Sequence, residues 1–340
     1  MLHFMHEMSH EETVALILPV RNETRYIERC IQAILKQDYP QDKIEAIIVD
    51  GLSDDNTREI IDRYEKKFPI TIKLLENHNK TVPYAMNIGI KKSVSKYIIR
   101  MDGHSEYPDD YVSKCIATLK RTGADNVGGL LVARGHGAVG KAFAKVLSSV
   151  FGVGNSGFRT KASSGYVDTV PFGAYQRTTF TKYGLYDERL TRRQDYELNN
   201  RIRKNGGRIY LDSNIELVYH CRSTISGILE QSYQKGKWNI ITAKLCPGTL
   251  SIRHLVPLLF VLSLMVLPVL AFFIPSFIWI LIGELSIYLL FNFAYSIKLA
   301  DGFKEAILMI ILFPLYHVAY GLGSFIGLGY NPKKALKQEL

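Results

Sequence analysis

Several features that would fix the class of this chain at once are scarce or missing. There are four cysteines in 340 residues, Cys30, Cys115, Cys221 and Cys246, widely spaced and with no CxxC pair. That argues against a disulfide framework or a zinc knuckle and fits a reducing compartment. No GxGxxG follows the first apolar run and no GxxxxGK[ST] occurs, which argues against a nicotinamide dehydrogenase and a P-loop enzyme. The N-terminus lacks the basic and apolar regions of a signal peptide. Residues 1–12 read as a flexible leader whose His3, His6 and His10 are solvated rather than metal-binding. Charge is scarcest between Leu255 and Ile297, where Glu284 is the single charged residue.

That run is roughly twice the length that crosses a bilayer core at about 1.5 Å per residue. Pro275–Ser276 divides it near the middle, so it reads as two crossings joined by a tight turn. A second uncharged run, Ala306 to Tyr330, contains Pro314 and the glycines Gly321, Gly323, Gly327 and Gly329. Gly323–Gly327 has the GxxxG spacing that lets helices approach, read here as ordinary glycine in a membrane helix. The net charge is +10, carried before Leu255 and in the tail 331–340. Basic flanks favour the cytoplasmic side, which places the N-terminal part and the Lys298–Lys304 loop inside. A third full crossing would put the basic tail outside, so either this segment is re-entrant or the tail is an exception.

The first half alternates strands and helices. "TVALILPV" (Thr13–Val20) is a short strand, after which Ile27, Ile31, Ile34 and Leu35 recur at helical spacing with Asn22 as the cap. "IEAIIVD" (Ile44–Asp50) is a second strand, and Asp54/Asp55 cap a helix that carries Ile60, Ile61 and Tyr64. "ITIKLLE", a helix over Val82–Ser93 and "KYIIRMD" follow. Continuous apolar strands between helices indicate a parallel sheet covered on both faces, and ligands bind such sheets beyond the carboxyl ends of the strands. Asn22/Glu23, Asp50, Asn79, Asn87 and Asp102/His104 stand there. Acids and amides suit hydrogen bonds to a nucleobase and ribose. Asp102 with His104 suits a divalent metal held against phosphates.

In order along the chain, "LPVRNE", "IIVDGLSDDNT", "RMDGHSEYP", "PFGAYQRTTFTKYGLYDERL" and "QDYELNNRIRKNGG" resemble the motifs of glycosyltransferase family 2, over roughly Val14 to His220. Within it the chain looks most like the membrane-attached transferases of exopolysaccharide assembly of the succinoglycan type, whose third motif also reads Asp-x-His. The resemblance implies a GT-A fold for residues 13–222: α/β, Rossmann-like, a mostly parallel sheet with helices on both faces. Amphipathic interfacial helices (223–252), a transmembrane hairpin with a third membrane segment (253–330) and the basic tail complete the expected plan.

The resemblance also implies roles. Asp50 pairs with the uracil of a UDP-sugar, Pro19, Arg21 and Glu23 border the nucleotide, and Asn87 contacts the nucleoside. Asp102 lies near ribose and sugar, and with His104 holds a metal. Gly173 and Ala174 bring backbone to the donor sugar. His104 stands where most members have Asp; imidazole binds Mn²⁺ acceptably and Mg²⁺ poorly, so a divalent ion, Mn²⁺ or Mg²⁺, is expected. In an inverting transfer the acceptor hydroxyl sheds its proton as it attacks. "RRQDYEL" matches the family's Glu-Asp-x-Asp/Glu-Leu motif, which implies Asp195 as the base, with Gln194 replacing the preceding Glu. Glu197, on a different helix face, either positions the acceptor or interacts with the helix N-terminus. Glu188 is a further acceptor-side candidate.

Gln234 to Trp238 reads QxxKW, close to the QxxRW of processive synthases, whose tryptophan stacks on the acceptor sugar. Gln234 and Trp238 are therefore acceptor candidates, although lysine does not replace arginine at a bidentate phosphate site. The reading preferred is an interfacial helix with Tyr233 and Trp238 at headgroup level and Lys235, Lys237 and Lys244 facing anionic lipid. The expectation is an inverting, metal-dependent glycosyltransferase of the inner (plasma) membrane, multi-pass, with its catalytic domain cytoplasmic. Its partners would be a UDP-sugar, a polyprenyl-diphosphate-linked saccharide acceptor, the membrane and other polysaccharide-assembly proteins, with no nucleic acid. The rivals are a processive polysaccharide or glycolipid synthase and a catalytically silent nucleotide-sugar-binding partner.

Overall fold

The apolar run after Thr13 forms β1 (Val14–Val20), whose residues are almost all buried because the sheet is covered on both faces. A computed structural model describes residues 12–68, 71–160 and 163–331. The leader histidines His3, His6 and His10 and the tail 332–340 lie outside the described residues. After β1 come α1 (Ile27–Leu35), β2 (Ile44–Asp50), α2 (Thr57–Lys67), β3 (Ile72–Glu76), α3 (Val82–Lys92) and β4 (Tyr97–Arg100). Each helix buries the apolar stripe that its spacing implies, such as Ile27, Cys30, Ile31 and Ile34 in α1. α3 sits close on β1 because Gly89 has no side chain: a Cβ there would stand 2.7 Å from Ile17 Cγ2.

The chain continues through β5 (Ser105–Glu106), α4 (Tyr111–Thr122), β6 (Asn126–Arg134), α5 (Gly137–Leu147), α6 (Val150–Val153), α7 (Gly157–Thr160), β7 (Gly165–Tyr166), β8 (Ala174–Gln176), α8 (Arg177–Tyr183), α9 (Gln194–Lys204) and β9 (Ile209–His220). The sheet runs β3-β2-β1-β4-β8-β6-β9-β5, with β7 on β9. The first four strands are parallel, while β8 is antiparallel to both β4 and β6. Val20, Asp50 and Glu76 lie in register, so the loops after β1, β2 and β3 leave by one edge. Because β2 and β3 extend to one side of β1 and β4 to the other, the chain reverses its winding between β1 and β4. That switch point is where open α/β sheets bind ligands.

Two caps differ from expectation: α2 has Asn56 as its N-cap, with Asp55 Oδ1 accepting the Thr57 N–H at 3.0 Å. α1 starts at Ile27 with Tyr26 as its N-cap. Asn22 instead adopts φ 57°, gives its N–H to Ser53 Oγ at 2.9 Å and accepts the Asp54 N–H at 3.0 Å. It clasps the loop after β1 to the loop after β2.

The chain divides into two compact units, residues 12–132 with 163–219, and residues 133–160 with 220–331. α5, α6 and α7 fall in the second unit. That unit also holds α10 (Ile225–Leu245), α11 (Ile252–Phe273), α12 (Phe277–Leu299) and α13 (Phe303–Gly329). The last three are long and apolar enough to cross a membrane. Pro314 lies inside α13 without ending it.

α10 is not the lipid-facing helix expected. Trp238 is 2% exposed, because α10 packs against α13. Lys235 donates to Tyr316 Oη at 3.0 Å, Lys237 lies 4.5 Å from the Tyr330 ring centroid, and Lys244 caps the carbonyls of Leu328 and Tyr330. The glycines are contact surfaces: a Cβ at Gly323 would collide with the Tyr233 carbonyl, and one at Gly327 would stand 2.9 Å from the Lys237 carbonyl. Small residues let the two backbones touch.

Candidate active site

Two loops meet beyond the carboxyl ends of β1 and β4. His104 Nδ1 lies 3.0 Å from Asp102 Oδ1 and 3.3 Å from Glu23 Oε1. The turn is held by the Tyr107 hydroxyl, which accepts the Asp102 N–H at 2.7 Å, and by Asp102 Oδ1, which accepts the His104 N–H at 3.2 Å. Beneath it Cys30 Sγ donates to the Gly103 carbonyl. Burial, then the carboxylates of Asp102 and Glu23, push that thiol up to about 12, so it stays protonated and serves as packing.

No group of three His, Cys, Asp or Glu side chains placed to hold a metal occurs among the described residues. Asp102 and His104 offer two donors, one oxygen and one nitrogen. That set would fit an open divalent-cation site, and imidazole favours Mn²⁺ over Mg²⁺.

Asp195 enters from the start of α9. Its Oδ1 accepts from Arg100 Nη1 at 2.5 Å. Arg100 ends β4 two residues before Asp102 and is 5% exposed. Its N–H donates to the Gly173 carbonyl at 3.0 Å, and its guanidinium lies 5.5 Å from the Phe172 ring centroid. Burial works against its charge, but the Asp195 carboxylate more than offsets this and the guanidinium stays firmly protonated. Arg100 thus joins the candidate base to the candidate metal loop. Sequence reasoning missed it. The signal was a charged residue inside a strand with no solvent-facing side.

Other candidates are placed differently. Asp50 ends β2 as expected but is fully buried. Its oxygens accept the Ser53 hydroxyl at 2.5 Å and the Ser53 N–H at 3.1 Å, with Arg58 3.8 Å away. The carboxylate therefore braces its own turn. Asn87 is 3% exposed. It donates to the Tyr186 carbonyl and to Glu188 Oε1 and accepts the Tyr186 N–H. Asn87 and Glu188 thus form one clasp between α3 and the loop after α8. Gly173 lies where a Cβ would run into Asn126 Oδ1 and Tyr175, and Ala174 is fully buried opposite Ile99. Glu197 is buried with both oxygens on Arg201, which suits it to holding α9 rather than an acceptor. Pro19 is half-buried and Arg21 is exposed at the rim. Gln234 pairs with Glu230, and Trp238, buried in the other unit, has no open face for a sugar.

Backbone strain collects around these loops. Asn22, Leu52, Lys80, Phe172 and Arg193 have positive φ. They sit in the loops after β1, β2 and β3, before β8 and at the start of α9. Residues held in sparsely populated backbone regions gather at functional sites.

The comparisons with known proteins agree with this architecture. The family model "Glycosyl transferase family 2" matches residues 15–184, half of the chain. The chain is 29% identical over 230 residues, 66% of its length and 71% of the other's, to a dolichyl N-acetyl-alpha-D-glucosaminyl phosphate 3-beta-D-2,3-diacetamido-2,3-dideoxy-beta-D-glucuronosyltransferase of Methanococcus voltae. It is 29% identical over 248 residues, 72% and 74% of the two lengths, to the succinoglycan biosynthesis protein ExoA of Rhizobium meliloti. Among solved structures, a mannosyltransferase from Pyrobaculum calidifontis in complex with GDP-Man and Mn²⁺ superposes with a TM-score of 0.57 at 16% identity, over 95% of this chain and 93% of that one. The shared fold is GT-A, here with three apolar C-terminal helices.

Proposed function

Because the chain belongs to glycosyltransferase family 2, we propose that it is an inverting transferase that moves a sugar from a UDP-sugar to a membrane-embedded, lipid-linked saccharide in the assembly of a surface polysaccharide. The observation that carries this reading is the Arg100–Asp195 pair beside Asp102 and His104 at the sheet's switch point. It supports a reading of Asp195 as the base and of Asp102 with His104 as a cation site close to it, with Arg100 between them.

Asp195 Oδ1 is fixed by Arg100, which leaves Oδ2 to take the proton from the acceptor hydroxyl. The acceptor oxygen then forms its bond to the anomeric carbon as the bond to the UDP diphosphate breaks, and the base on the face opposite the leaving group inverts the centre. Asp102 and His104 would hold a divalent ion, which supplies positive charge to the departing diphosphate. Arg100 keeps the Asp195 carboxylate aimed through its hydrogen bond to Oδ1.

The lipid-linked acceptor rests on two supports. One relative is named for transfer to a dolichyl phosphate sugar and another for succinoglycan biosynthesis. The apolar helices would hold the chain where such acceptors reside. A UDP donor remains a choice against GDP, since a neighbour in fold was captured with GDP-Man. The test incubates membranes carrying the full chain with radiolabelled UDP-sugars and GDP-mannose, lipid-linked acceptors, and Mn²⁺, Mg²⁺ or chelator. Transfer of one residue from a UDP-sugar, lost on chelation, is expected. Long products would support a processive synthase, and no transfer from any donor would support the silent partner.

A further inference from the structure

We infer that α13 does not cross the bilayer. It lies in the plane of the membrane surface, on the side from which α11 enters and to which α12 returns, with Phe303, Ile307, Ile311, Leu322 and Ile326 resting on acyl chains. The inference does not depend on the donor and acceptor assigned above.

The hairpin of α11 and α12 is covered mainly toward its base. α11 buries His254, Leu258 and Val261, all near its start, and α12 buries Asn292 and Ser296, both toward its end. The part leading to the Pro275 turn is apolar surface, with Phe272 83% exposed. α13 supplies much of the cover at the base. Gly321 packs on the Pro257 carbonyl and on Val261. Asn292 donates to the Ile310 carbonyl at 2.9 Å, and His317 Nδ1 lies 2.9 Å from the hydroxyl of Tyr288 at the midpoint of α12. A third span running beside the hairpin would also cover its distal half. α13 lies across the base.

The charges along α13 point the same way. At its start Lys145 of α5 pairs with Asp301 at 2.8 Å and with Glu305 at 2.6 Å. At its middle Lys235 meets Tyr316, and at its end Lys244 holds the carbonyls of Leu328 and Tyr330. A helix that crossed would carry at least one of these cations into or through hydrocarbon, where charge is costly. A helix lying in plane keeps all three at one polar level. Apart from Leu328 in its last turn, its large apolar residues that remain exposed recur at spacings of four from Phe303 to Ile311 and from Leu322 to Ile326, which makes one stripe. This is the pattern of an interfacial helix. Half of α13's most apolar window is buried, against 11% and 6% for α11 and α12. Arg253 at the start of α11, Lys298 at the end of α12 and Lys304 at the start of α13 then mark one side of the membrane.

The test uses the full chain in sealed vesicles, with Cys246→Ser as background to remove the half-exposed thiol. Gly302→Cys and Gly329→Cys place thiols at the two ends of α13, where an added Cβ meets nothing within 4 Å. Ser276→Cys marks the hairpin turn. A membrane-impermeant maleimide should label the first two from the same side and Ser276→Cys from the other. Labelling of Gly329→Cys from the side opposite Gly302→Cys overturns the inference, as does labelling of Ser276→Cys from the same side as both. Nitroxides attached at Phe303→Cys, Ile311→Cys, Leu322→Cys and Ile326→Cys should report one uniform, shallow depth by oxygen and nickel-chelate accessibility. A depth that peaks at mid-helix, or no lipid contact at any position, overturns it equally.

Discussion

The sheet unit and the helical unit handle buried polarity in different ways. In the sheet unit a buried charge has a dedicated partner: Arg100 has Asp195, Glu197 has Arg201, and Asp212 has Arg121 and Thr118. In the helical unit the closest contacts involve backbone, with Gly236 against the Tyr320 carbonyl and Gly323 against that of Tyr233. Charge deletion at the buried pairs of the sheet unit and added bulk where α10 meets α13 therefore probe two different kinds of cohesion.

The largest effect expected is on turnover. Asp195→Asn keeps an oxygen for Arg100 but removes the base, so kcat should fall about 1,000-fold while nucleotide affinity holds. A transfer assay paired with calorimetric nucleotide binding checks this, and unchanged transfer would refute the base assignment. Arg100→Met comes next and acts on the fold as well. It strands a carboxylate that is only 18% exposed beside buried apolar groups, and breaking such a pair costs about 3 kcal/mol. Arg100→Met with Asp195→Leu should recover much of that stability and none of the activity. Thermal unfolding in detergent measures both variants.

How far the chain can be read in advance follows the same divide. β1, β2, β3 and β4 are legible because each is a continuous apolar run, and the acids that end them mark the carboxyl edge. The positions of Asp102, His104 and Asp195 follow from their motifs. Arg100 is not legible, because its partner lies 95 residues away and a strand pattern does not say which distant loop folds over its end. The clasp of Asn87 with Tyr186 and Glu188 is hidden for the same reason. In the helical unit periodicity itself fails. α13 has few polar residues to show what is outside, and the lysines of α10 suggest a surface, so Gly323 reads as filler and Trp238 as a surface anchor until α10 and α13 are seen together.

Adding bulk sharpens the contrast at a smaller scale. Gly323→Leu must push aside the Tyr233 backbone, and overpacking of this kind costs about 2 kcal/mol. Gly329→Leu, on the same helix but with open space around it, should leave the unfolding temperature unchanged. Equal effects at the two positions would mean that the contact between α10 and α13 is not tight.

The smallest effect is electrostatic and belongs to the sheet unit alone. Burial by itself would raise the Asp55 carboxyl, but hydrogen bonds from Thr24 and Thr57 outweigh it and bring the group down to about 2. A carboxyl depressed in the folded state contributes stability that is fully present above its unfolded value near 3.8. That contribution is lost as the pH falls through about 2. Partial solvent access reduces it to about 1 kcal/mol. Asp55→Asn should therefore lower the unfolding temperature slightly at neutral pH, and the gap to the wild type should close between pH 4 and pH 2. The gap produced by Gly323→Leu has no titrating group behind it and should persist across that window. Parallel closing of both gaps would mean that acid loosens the whole chain, and that the clasp between the loops after β1 and β2 owes nothing to the charge on Asp55.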